Sequence, residues 1–512
     1  MASNTAKGRY NELEAARRPF LERAWDAAEL TVPALLPRQG HTPHTKYPTP
    51  YQGVGSRGVN NLAAKLLLAL LPPSSPFFKL SIGEFELAQA TGGNPQAKTQ
   101  IEESLGAIER SVMSEIEASA MRTTLFEALK HLIVTGNGLL YVPQGGGLRV
   151  FSLDRYVAVR DYEANLLEAV TKESISPTAL PEEILEQTGL NLSQTYDGGG
   201  SEVDVYTWVR RGGDKVHFHQ EVQDVVIEDT VGTLPASESP WIALRWAKID
   251  GEDYGRGHIE EYLGDLRSLE ALTQAVVQGA AAASKLLMLV DPNGLTRIRD
   301  VSEAPNLAVR SGRAGDVSVL QFEKAADFNV ALQLSAKIEE RLSQAFMLLD
   351  GIRRDAERVT AEEIRLMASE LEDALGGVYS VLAAELQMPL VKRLLYTLTK
   401  RKVIPPVPKE VSPTVTTGLQ ALGRGHELQS LMTFGDLVQR TLGPEAFTSS
   451  INPQDFIARV GIALGIDMSG LVKSPEQIAQ EQQAAQQQQL MQQLGPEAMK
   501  MAQEQQLQQQ QG

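Results

Sequence analysis

Helical periodicity fills both ends of this 512-residue chain and leaves one β-rich block between them. In residues 97–134 apolar side chains recur every three or four positions, which is the spacing of one helix face. The apolar positions there are Leu105, Ile108, Val112 and Ile116. The same spacing predicts helices over 8–30, 59–71, 259–287, 331–349 and 360–400. Runs rich in Val, Tyr and Thr between glycine turns predict strands within 138–171 and 203–248. We therefore expect an α+β fold that is mainly helical.

Length and charge narrow the class of protein. At 512 residues the chain is longer than one hydrophobic core normally serves, so several domains or an elongated subunit are expected. The formal net charge of −16 argues against a protein that coats nucleic acid with a basic face. It does not exclude a protein that must let DNA pass without adhering. The chain has no cysteine, which excludes disulfides and thiolate metal sites.

We expect neither a signal peptide nor a membrane span. Residues 1–10 are not followed by an apolar run of the kind that a signal peptide carries. The longest apolar run, Leu62–Leu71, has ten residues and contains Lys65, whereas a spanning helix needs about 20 residues. The sequence is therefore typical of a soluble protein, and the lack of cysteine suits a reducing cytoplasm.

Gly53, Gly55 and Gly58 have the spacing G-x-G-x-x-G in front of a helical apolar run. In dinucleotide-binding proteins this spacing follows a buried strand and places the diphosphate at a helix N-terminus. Residues 38–50 contain three prolines and no run of β-branched residues, so a central strand there is implausible. We interpret the stretch as a turn that opens a helix. An NAD(P)-dependent enzyme remains as an alternative that rests on these three glycines alone.

Two polar stretches could in principle hold a metal ion. His217 and His219 share one face of a predicted strand with Glu221, but a solvent-facing hairpin explains the same pattern and is favoured. Residues 250–258, DGEDYGRGH, lack the alternation of a calcium loop and favour a turn before a helix. Their candidate ligands are Asp250, Glu252, Asp253 and His258. Since no P-loop, G-x-S-x-G or H-E-x-x-H motif is present, we predict no enzyme activity, no cofactor and no metal.

Three arginines, Arg353, Arg354 and Arg358, cluster in a short break between two predicted helices. In a single subunit, a solvated loop with local ion pairs to its neighbouring acids is the favoured interpretation. If many copies formed a ring, the same loop would repeat around the axis and become a positive collar for phosphates. The choice between these two interpretations depends on assembly.

The order of elements, together with four longer stretches, resembles the portal or head-to-tail connector proteins of short-tailed bacteriophages (podoviruses). The stretches are GVGSRGVNNLAAKLLLAL, TLFEALKHLIVTGNGLLY, YGRGHIEEYLGDLRSLE and ERVTAEEIRLMASELEDALGGVYS. The resemblance runs from about Tyr10 to Gly470 and leaves out a tail in which 17 of the 36 residues from Gln477 to Gly512 are glutamine. Such a tail cannot build a core and is expected to be disordered or a frayed helix.

The resemblance implies a ring of about twelve subunits around a central channel, with parts named wing, stem, clip and crown. Transferred to this chain, the parts are an N-terminal arm and wing (1–176), a short first stem helix and loop (177–200), a β-rich clip (201–254), a long stem helix (255–287), a wing segment (288–400), a crown (401–472) and the glutamine-rich tail (473–512). A tunnel loop at 350–359 would place Arg353, Arg354 and Arg358 toward DNA, with Lys324 as a possible additional channel contact.

The resemblance also implies a function and partners. The ring would occupy one capsid vertex at the head–tail junction of the virion and would nucleate capsid assembly. It would conduct double-stranded DNA without sequence specificity, and would dock the packaging ATPase (terminase) and then the tail. Scaffolding, major capsid, internal core and tail adaptor proteins are further implied partners, and synthesis in the bacterial cytoplasm is implied. A filament or scaffold protein of similar composition is the second alternative.

Overall fold

The fold is described from a computed structural model of the chain. The described residues are 5–38, 45–73, 76–92, 95–188, 202–283, 287–303, 305, 308–309, 311–320, 325–348, 371, 374–408, 410–415, 431–438, 440–441, 456–457 and 460. The chain divides into two units, Met1–Leu419 and Gln420–Gly512. The described part of the second unit contains a helical stretch, 431–438, with Met432, Phe434 and Leu437 exposed.

Helices form most of the first unit, as the sequence predicts. They are α1 Ala6–Glu29, α2 Val54–Leu70, α3 Glu84–Thr91, α4 Pro95–Ala118, α5 Met121–Thr135, α6 Glu182–Thr188, α7 His258–Ala283, α8 Ile298–Ser302, α9 Ala325–Ala345 and α10 Met388–Lys400. A π-helical turn, Ala383–Gln387, leads directly into α10.

The strands are antiparallel in every sheet of the described residues. They are β1 Phe78–Ile82, β2 Asn137–Tyr141, β3 Arg149–Phe151, β4 Tyr156–Arg160, β5 Leu166–Ile175, β6 Val203–Gly212, β7 Lys215–Val222, β8 Val225–Pro235, β9 Trp241–Arg245, β10 Leu287–Val290, β11 Val317–Leu320 and β12 Val411–Val415. β4 to β8 form one five-stranded sheet in chain order, β3–β2–β9 form a second sheet, and β1–β12 and β10–β11 form two-stranded pairs.

α1 lies on the five-stranded sheet and is held there by buried polar groups as well as by apolar contact. The first helical amide, Ala6 N, donates to Glu221 Oε2 on β7 at 2.5 Å. At the middle of the helix, buried Arg17 donates through Nη1 to the carbonyls of Asp154 (2.9 Å) and Tyr156 (3.0 Å). Because a buried charge is tolerated only when it is hydrogen-bonded, these contacts define where α1 lies on the sheet.

The main hydrophobic core lies between α2, α5, the β2–β9 pair and α10 with the π-helical turn that precedes it. α2 contributes fully buried Leu62, Leu66 and Leu70, spaced one helical turn apart. The other end of the core is formed by Leu386 and Leu394 on the last of these helices. Residues far apart in the chain therefore close one core, so the elements that line it form one body rather than a row of small domains.

Three local features differ from the sequence prediction. The predicted helix over 97–134 is two helices, α4 and α5, because Ala120 adopts a left-handed conformation (φ 51°) that no continuous helix allows. α3 and the pair β1–β12 lie in stretches where no element is predicted. A π-helical turn replaces regular α-helix just before Pro389, because proline cannot sit in a regular α-helix without displacing the carbonyl four residues before it.

The strand prediction is confirmed, and its extent is greater than expected. Glycine turns at 145–147 and 212–214 have left-handed residues at Gly146 and Gly213, as tight turns require. The sheet of β6–β8 is continuous with β4 and β5, through eight paired residues between β5 and β6. Residues 156–175 and 203–235 therefore belong to one layer.

Candidate assembly arm and helix junction

The glycines of the G-x-G-x-x-G stretch allow α2 to pack closely against other helices. A Cβ atom on Gly55 would lie 2.6 Å from the carbonyl oxygen of Leu30, and one on Gly58 would overlap the ring of Phe346. The described residues 45–53 that precede α2 form no strand. The geometry of a dinucleotide-binding turn is therefore absent from this stretch, and helix packing explains both buried glycines.

The C-terminus of α9 packs against the face of α2 that begins at Gly58. One turn beyond Gly58, Asn61 Nδ2 donates to the carbonyls of Phe346 and Met347 at 3.0 Å each. A further turn on, Lys65 Nζ donates to the carbonyl of Met347 at 2.9 Å. A cation here also opposes the negative end of the α9 dipole. The polar residues of an otherwise apolar helix thus satisfy carbonyls that α9 cannot bond internally.

His258, the first residue of α7, completes this junction from the other side. Its Nε2 donates to the carbonyl of Ala345 at 3.1 Å, and its ring packs against Trp246, Tyr262 and Phe346. Burial lowers the pKa of His258, while the bond to Ala345 and the charge of Glu261 act in the opposite direction. The histidine is therefore a neutral donor in a packed aromatic setting.

The two stretches considered as metal sites serve the fold. Glu221 is buried and accepts from His219 Nε2 at 2.9 Å as well as from the start of α1, while His217 Nδ1 bonds to Thr233 Oγ1. Within the part of the chain that the structure describes, no three histidine or acidic side chains stand close enough to hold a metal ion. Solvent-facing polarity, favoured from the sequence, describes His217 but not the buried Glu221.

The acidic stretch 250–258 is a turn that joins β9 to α7. Asp253 Oδ1 accepts from the backbone amide of Arg160 at 2.7 Å, and Glu252 pairs with Arg256 at 2.6 Å. The hydroxyl of Tyr254 accepts from the amide of Ala158 at 2.9 Å. These contacts occupy the free edge of β4, so the turn protects one margin of the five-stranded sheet.

A buried ion pair connects this region to the π-helical turn. Glu385 in that turn accepts from the Arg245 backbone amide at 3.0 Å and from Arg245 Nε at 3.1 Å, and also pairs with Nη2. Arg160 Nη1 lies 4.0 Å from Glu385 Oε1. Burial lowers the pKa of the Arg160 guanidinium, and the charge of Glu385 acts in the opposite direction. Because one carboxylate serves two buried arginines, its loss would leave two uncompensated charges.

The distal half of α7, β10, α8, β11 and the first half of α9 form an arm, defined as residues 273–337. Among the apolar arm residues whose side chains are described, none belongs to a hydrophobic core cluster. α7 and α9 pack against each other as an antiparallel pair, and a Cβ on Gly279 would overlap the ring of Phe328. With 26 residues, α7 has a length of about 39 Å.

The arm exposes an uncharged surface. Residues 271–284 contain no charged side chain, and neither do residues 329–336 on α9. Val277 is 48% exposed and Val330 is 67% exposed. A continuous exposed stretch of this kind on two adjacent helices marks a protein-interaction surface.

The tip of the arm, residues 287–320, is organised around one buried carboxylate. Asp316 accepts from the amide and hydroxyl of Thr296 at 3.1 and 3.0 Å. Around this centre, the tip presents exposed aliphatic and basic side chains. They are Leu295, Ile298, Val309, Arg297, Arg299 and Arg313.

The predicted DNA-contacting residues lie outside the described part of the chain. Arg353, Arg354 and Arg358, the loop 350–359 that carries them, and Lys324 all belong to this group. Their predicted role stays a prediction. The described residues that lead toward them are Met347 and Leu348, at the α9 junction.

Sequence reasoning did not identify the residues of the junction or the buried ion pair. Lys65 carried a usable signal, because a lysine inside the apolar run 62–71 must bond to something or reach solvent. Asn61, one turn earlier on the same helix, is likewise a polar side chain that needs a hydrogen-bond partner or solvent. Glu385 and Arg245 carried no signal, since they are 140 residues apart and only the closed core brings them together.

One described helix, Ala374–Lys400, is long and apolar enough to cross a membrane by length and composition. Its apolar side chains occupy the main core instead. The fully buried ones include Leu382, Leu386, Leu390, Val391 and Leu398. We therefore interpret it as a core helix.

Known proteins with similar sequences share one description. The portal protein of Enterobacteria phage T3 is 44% identical, with 93% of this chain and 90% of the relative covered. The portal protein of Escherichia phage T7 is 42% identical, covering 94% and 90%, and that of Pseudomonas phage phiKMV is 31% identical, covering 90% of each. The neck of an empty GTA particle aligns over 81% of this chain at 14% identity with a TM-score of 0.34, which is too low to establish a shared fold.

The family model described as bacteriophage head to tail connecting protein matches residues 3–472. The match contains the α2 glycines, the α9 junction, the arm and the predicted tunnel loop, and it ends just before the glutamine-rich tail. A match over this extent, together with relatives above 40% identity along nearly the whole chain, places the chain in the family of bacteriophage head-to-tail connecting proteins.

Proposed function

We propose that this connector protein works as a closed ring of about twelve copies at one capsid vertex, through which double-stranded DNA enters and leaves the head. Family membership supports the connector role. The observation that carries the ring is the uncharged exposed surface of the arm, on α7 and α9. One copy cannot cover this surface with its own core, whereas neighbouring copies around an axis can.

The ring proposal is tested by overpacking the arm. Ala282 on α7 is exposed, and the small residues around it would let a neighbouring helix approach closely. Ala282→Trp should cost roughly 1–3 kcal/mol at each interface, and the cost repeats around the ring. Ala107→Trp, at an exposed position on α4, is the matched control.

Particle mass, measured by light scattering on the purified protein, separates the outcomes. Wild type and Ala107→Trp should give one discrete large species, and Ala282→Trp should give folded subunits. A distribution of lengths in the wild type would favour the alternative, a filament or scaffold protein. Normal rings from Ala282→Trp would remove α7 from the subunit interface.

We further propose that Arg353, Arg354 and Arg358 contact the phosphates of passing DNA, with Lys324 as an additional channel contact. Contacts of this kind carry no sequence information and weaken as salt rises. The acids between the arginines, including Asp355 and Glu357, would keep each contact weak enough for DNA to slide.

Replacing the three arginines by alanine should leave ring assembly intact and lower DNA retention in filled heads. A control variant with alanine at Arg18, Arg57 and Arg440 removes the same charge from three exposed ion pairs outside the arm tip. Packaged genome length and retention are compared at matched ring incorporation. Equal values in the two variants would return the loop to a solvated turn with local ion pairs.

The division into wing, stem, clip and crown is part of the same proposal. α7 is assigned to the stem, and residues from 401 onward to the crown. The clip is assigned to 201–254, although β6–β8 continue the sheet of β4 and β5. That continuity, and the separation of the arm tip from the core, support residues 287–320 as the alternative position of the clip. Protection of one or the other segment when terminase or a tail protein is bound distinguishes the two assignments.

A further inference from the structure

We propose that the two helices of the arm, 273–283 on α7 and 325–337 on α9, are stably folded only when a second copy of this chain covers them, so that ring assembly and folding of these helices are one coupled step. The inference rests on the proposed ring. It adds that a free subunit holds its docking surface in an unstable, largely unfolded form.

The first observation is that the arm residues whose side chains the structure describes belong to no hydrophobic core cluster. Apolar residues that belong to core clusters end at Leu269 on α7 and begin again at Ile338 on α9, with Leu272 as a partly buried neighbour. Burial of apolar area is the dominant stabilising contribution to folding. The described arm residues bury little of it, because Val277, Val330, Leu332 and Leu334 remain about half exposed or more.

The second observation concerns the tip. β10 and β11 pair over four residues and form a sheet with no third strand among the described residues. An isolated two-stranded sheet is at best marginally stable in water. Leu295 and Val309 beside it are 83% and 98% exposed, so they contribute no core to the tip of a single subunit.

The third observation identifies the occupant. Both helices of the arm present uncharged surface, over 271–284 and 329–336, so the partner surface must also be uncharged to avoid burying an unpaired charge. Phe328 of the same subunit packs against Gly279, whereas the small side chains at 280–282 are exposed and permit a helix of a second copy to approach closely. The exposed aliphatic side chains of α9 would fill the space between the two copies. The two helix faces are therefore complementary to each other in a neighbouring copy, which is the heterologous contact that a ring requires.

One exposed apolar residue outside the arm, Val231, provides a comparison for Val330. Val231 on β8 is 61% exposed, close to the value of Val330, but it lies in a bulge next to Glu228 and Asp229. The sheet around it is covered by α1 on one face and has its own core residues, Val222 and Ile227. Val231 is thus a matched position in a part of the molecule that is stable on its own.

The experiment is hydrogen exchange followed by mass spectrometry on the full-length chain, with rings and subunits separated by size-exclusion chromatography. In subunits, amides of 273–283 and 328–337 should exchange at nearly the rate of unfolded chain. In rings, the same amides should exchange at least ten-fold more slowly, while peptides from α2 and α5 should not change. Val330→Asp should stay as subunits with a fast-exchanging arm, whereas Val231→Asp should form rings with a protected arm.

Each result decides the inference. Equal protection of the arm in subunits and in rings overturns it and leaves the ring proposal intact, because particle mass reports the ring independently. Rings whose arms stay unprotected overturn the choice of a second copy as occupant. A wild-type chain that forms no rings overturns this inference together with the proposed function.

Discussion

The ends of α9 and α10 each place a residue that is not glycine in the left-handed conformation that normally favours glycine. At the end of α9, Met347 has φ 54°, and the amide of Leu348 donates to the carbonyl of Ser343 at 2.7 Å. At the end of α10, Lys402 has φ 58°, and the amide of Val403 donates to Leu398 at 2.9 Å. Both are Schellman-type ends, which satisfy orphan carbonyls of the last turn. At Met347 the junction holds the strained conformation with three side-chain donors, while exposed Lys402 has no such support.

Lys402→Gly should therefore raise the free energy of unfolding by about 0.5–1 kcal/mol. Glycine removes the steric cost of the left-handed conformation, and its greater entropy in the unfolded chain cancels part of the gain. Lys402→Ala is the matched control, because it removes the same charge and keeps the Cβ atom, so it should give no gain. Chemical denaturation of the two variants measures the difference. Equal stability of the glycine and alanine variants would contradict the argument.

The buried histidine at the start of α7 predicts a dependence of stability on pH. Burial lowers the pKa of His258 in the folded protein below the value of about 6.5 that it has in the unfolded chain. The unfolded state then binds more protons, so this contribution to stability is complete above about pH 6.5 and is lost as the pH falls through the lowered folded-state pKa.

His258→Gln tests this dependence and keeps an N–H donor within reach of Ala345. The wild type should be more stable than the variant at pH 7.5, and its advantage should shrink steadily toward pH 5. Thermal unfolding of both proteins across this range gives the difference. Two profiles that run parallel would show that another group causes any acid sensitivity.

At the scale of elements, one glycine inside a helix is required by close packing, whereas another only lowers the stability of its helix. Gly58 in α2 faces the Phe346 ring with no room for a Cβ atom. Gly106 in α4 has only Arg110 near its Cβ position, at an ordinary contact distance of 3.6 Å. Gly58→Ala should lower the free energy of unfolding by about 1–3 kcal/mol through overpacking. Gly106→Ala should raise it by about 0.5–1 kcal/mol through helix propensity.

The two alanine variants are compared by differential scanning calorimetry under one buffer condition. Opposite shifts in the unfolding temperature are expected. A stabilised Gly58→Ala protein would mean that Phe346 moves away at little cost, and that α2 and α9 are not in obligatory contact.

The elements themselves follow from the sequence to a large extent, because periodicity reports which face is buried. α1, α2, α7 and α9 begin and end within a few residues of the predicted limits, except that α9 begins six residues earlier. The break at Ala120 could not be predicted, since alanine is a good helix former and only packing of α5 against α1 and α2 imposes the turn. The pairing of Arg245 with Glu385 could not be predicted either, because these residues are 140 positions apart and only the folded core brings them together.

The free edge of β8 shows how an element can be kept from pairing. The register shifts between Phe218 and Gln220, and Thr230 Oγ1 takes the amide of Gln220 at 2.8 Å in place of a backbone partner. With Glu228 and Asp229 beside it, the bulged strand is poorly suited to accept another strand. Contacts between copies through this edge are therefore not expected.

At the scale of the whole molecule, the family match ends at residue 472 and the glutamine-rich segment follows it. Its composition cannot support a hydrophobic core, so removal of residues 473–512 should leave both the particle mass and the unfolding temperature of the ring unchanged. A large fall in the unfolding temperature after truncation would show that the segment adds ordered structure to the assembly.

The length of the arm and the position of its surface were not predictable, since they depend on which helix faces the core leaves uncovered.

The α9 junction has one more consequence, which concerns how such a chain can change over generations. His258 Nε2 and the carbonyl of Ala345 are 87 positions apart in the chain but one hydrogen bond apart in space, so the two ends of the segment between them are held together. A segment anchored in this way can be shortened, lengthened or exchanged at little cost to the rest of the fold, because the ends are already closed. Insertions or deletions in the tip, 287–320, should therefore leave the free energy of unfolding of the body that carries α2, α5 and α10 nearly unchanged.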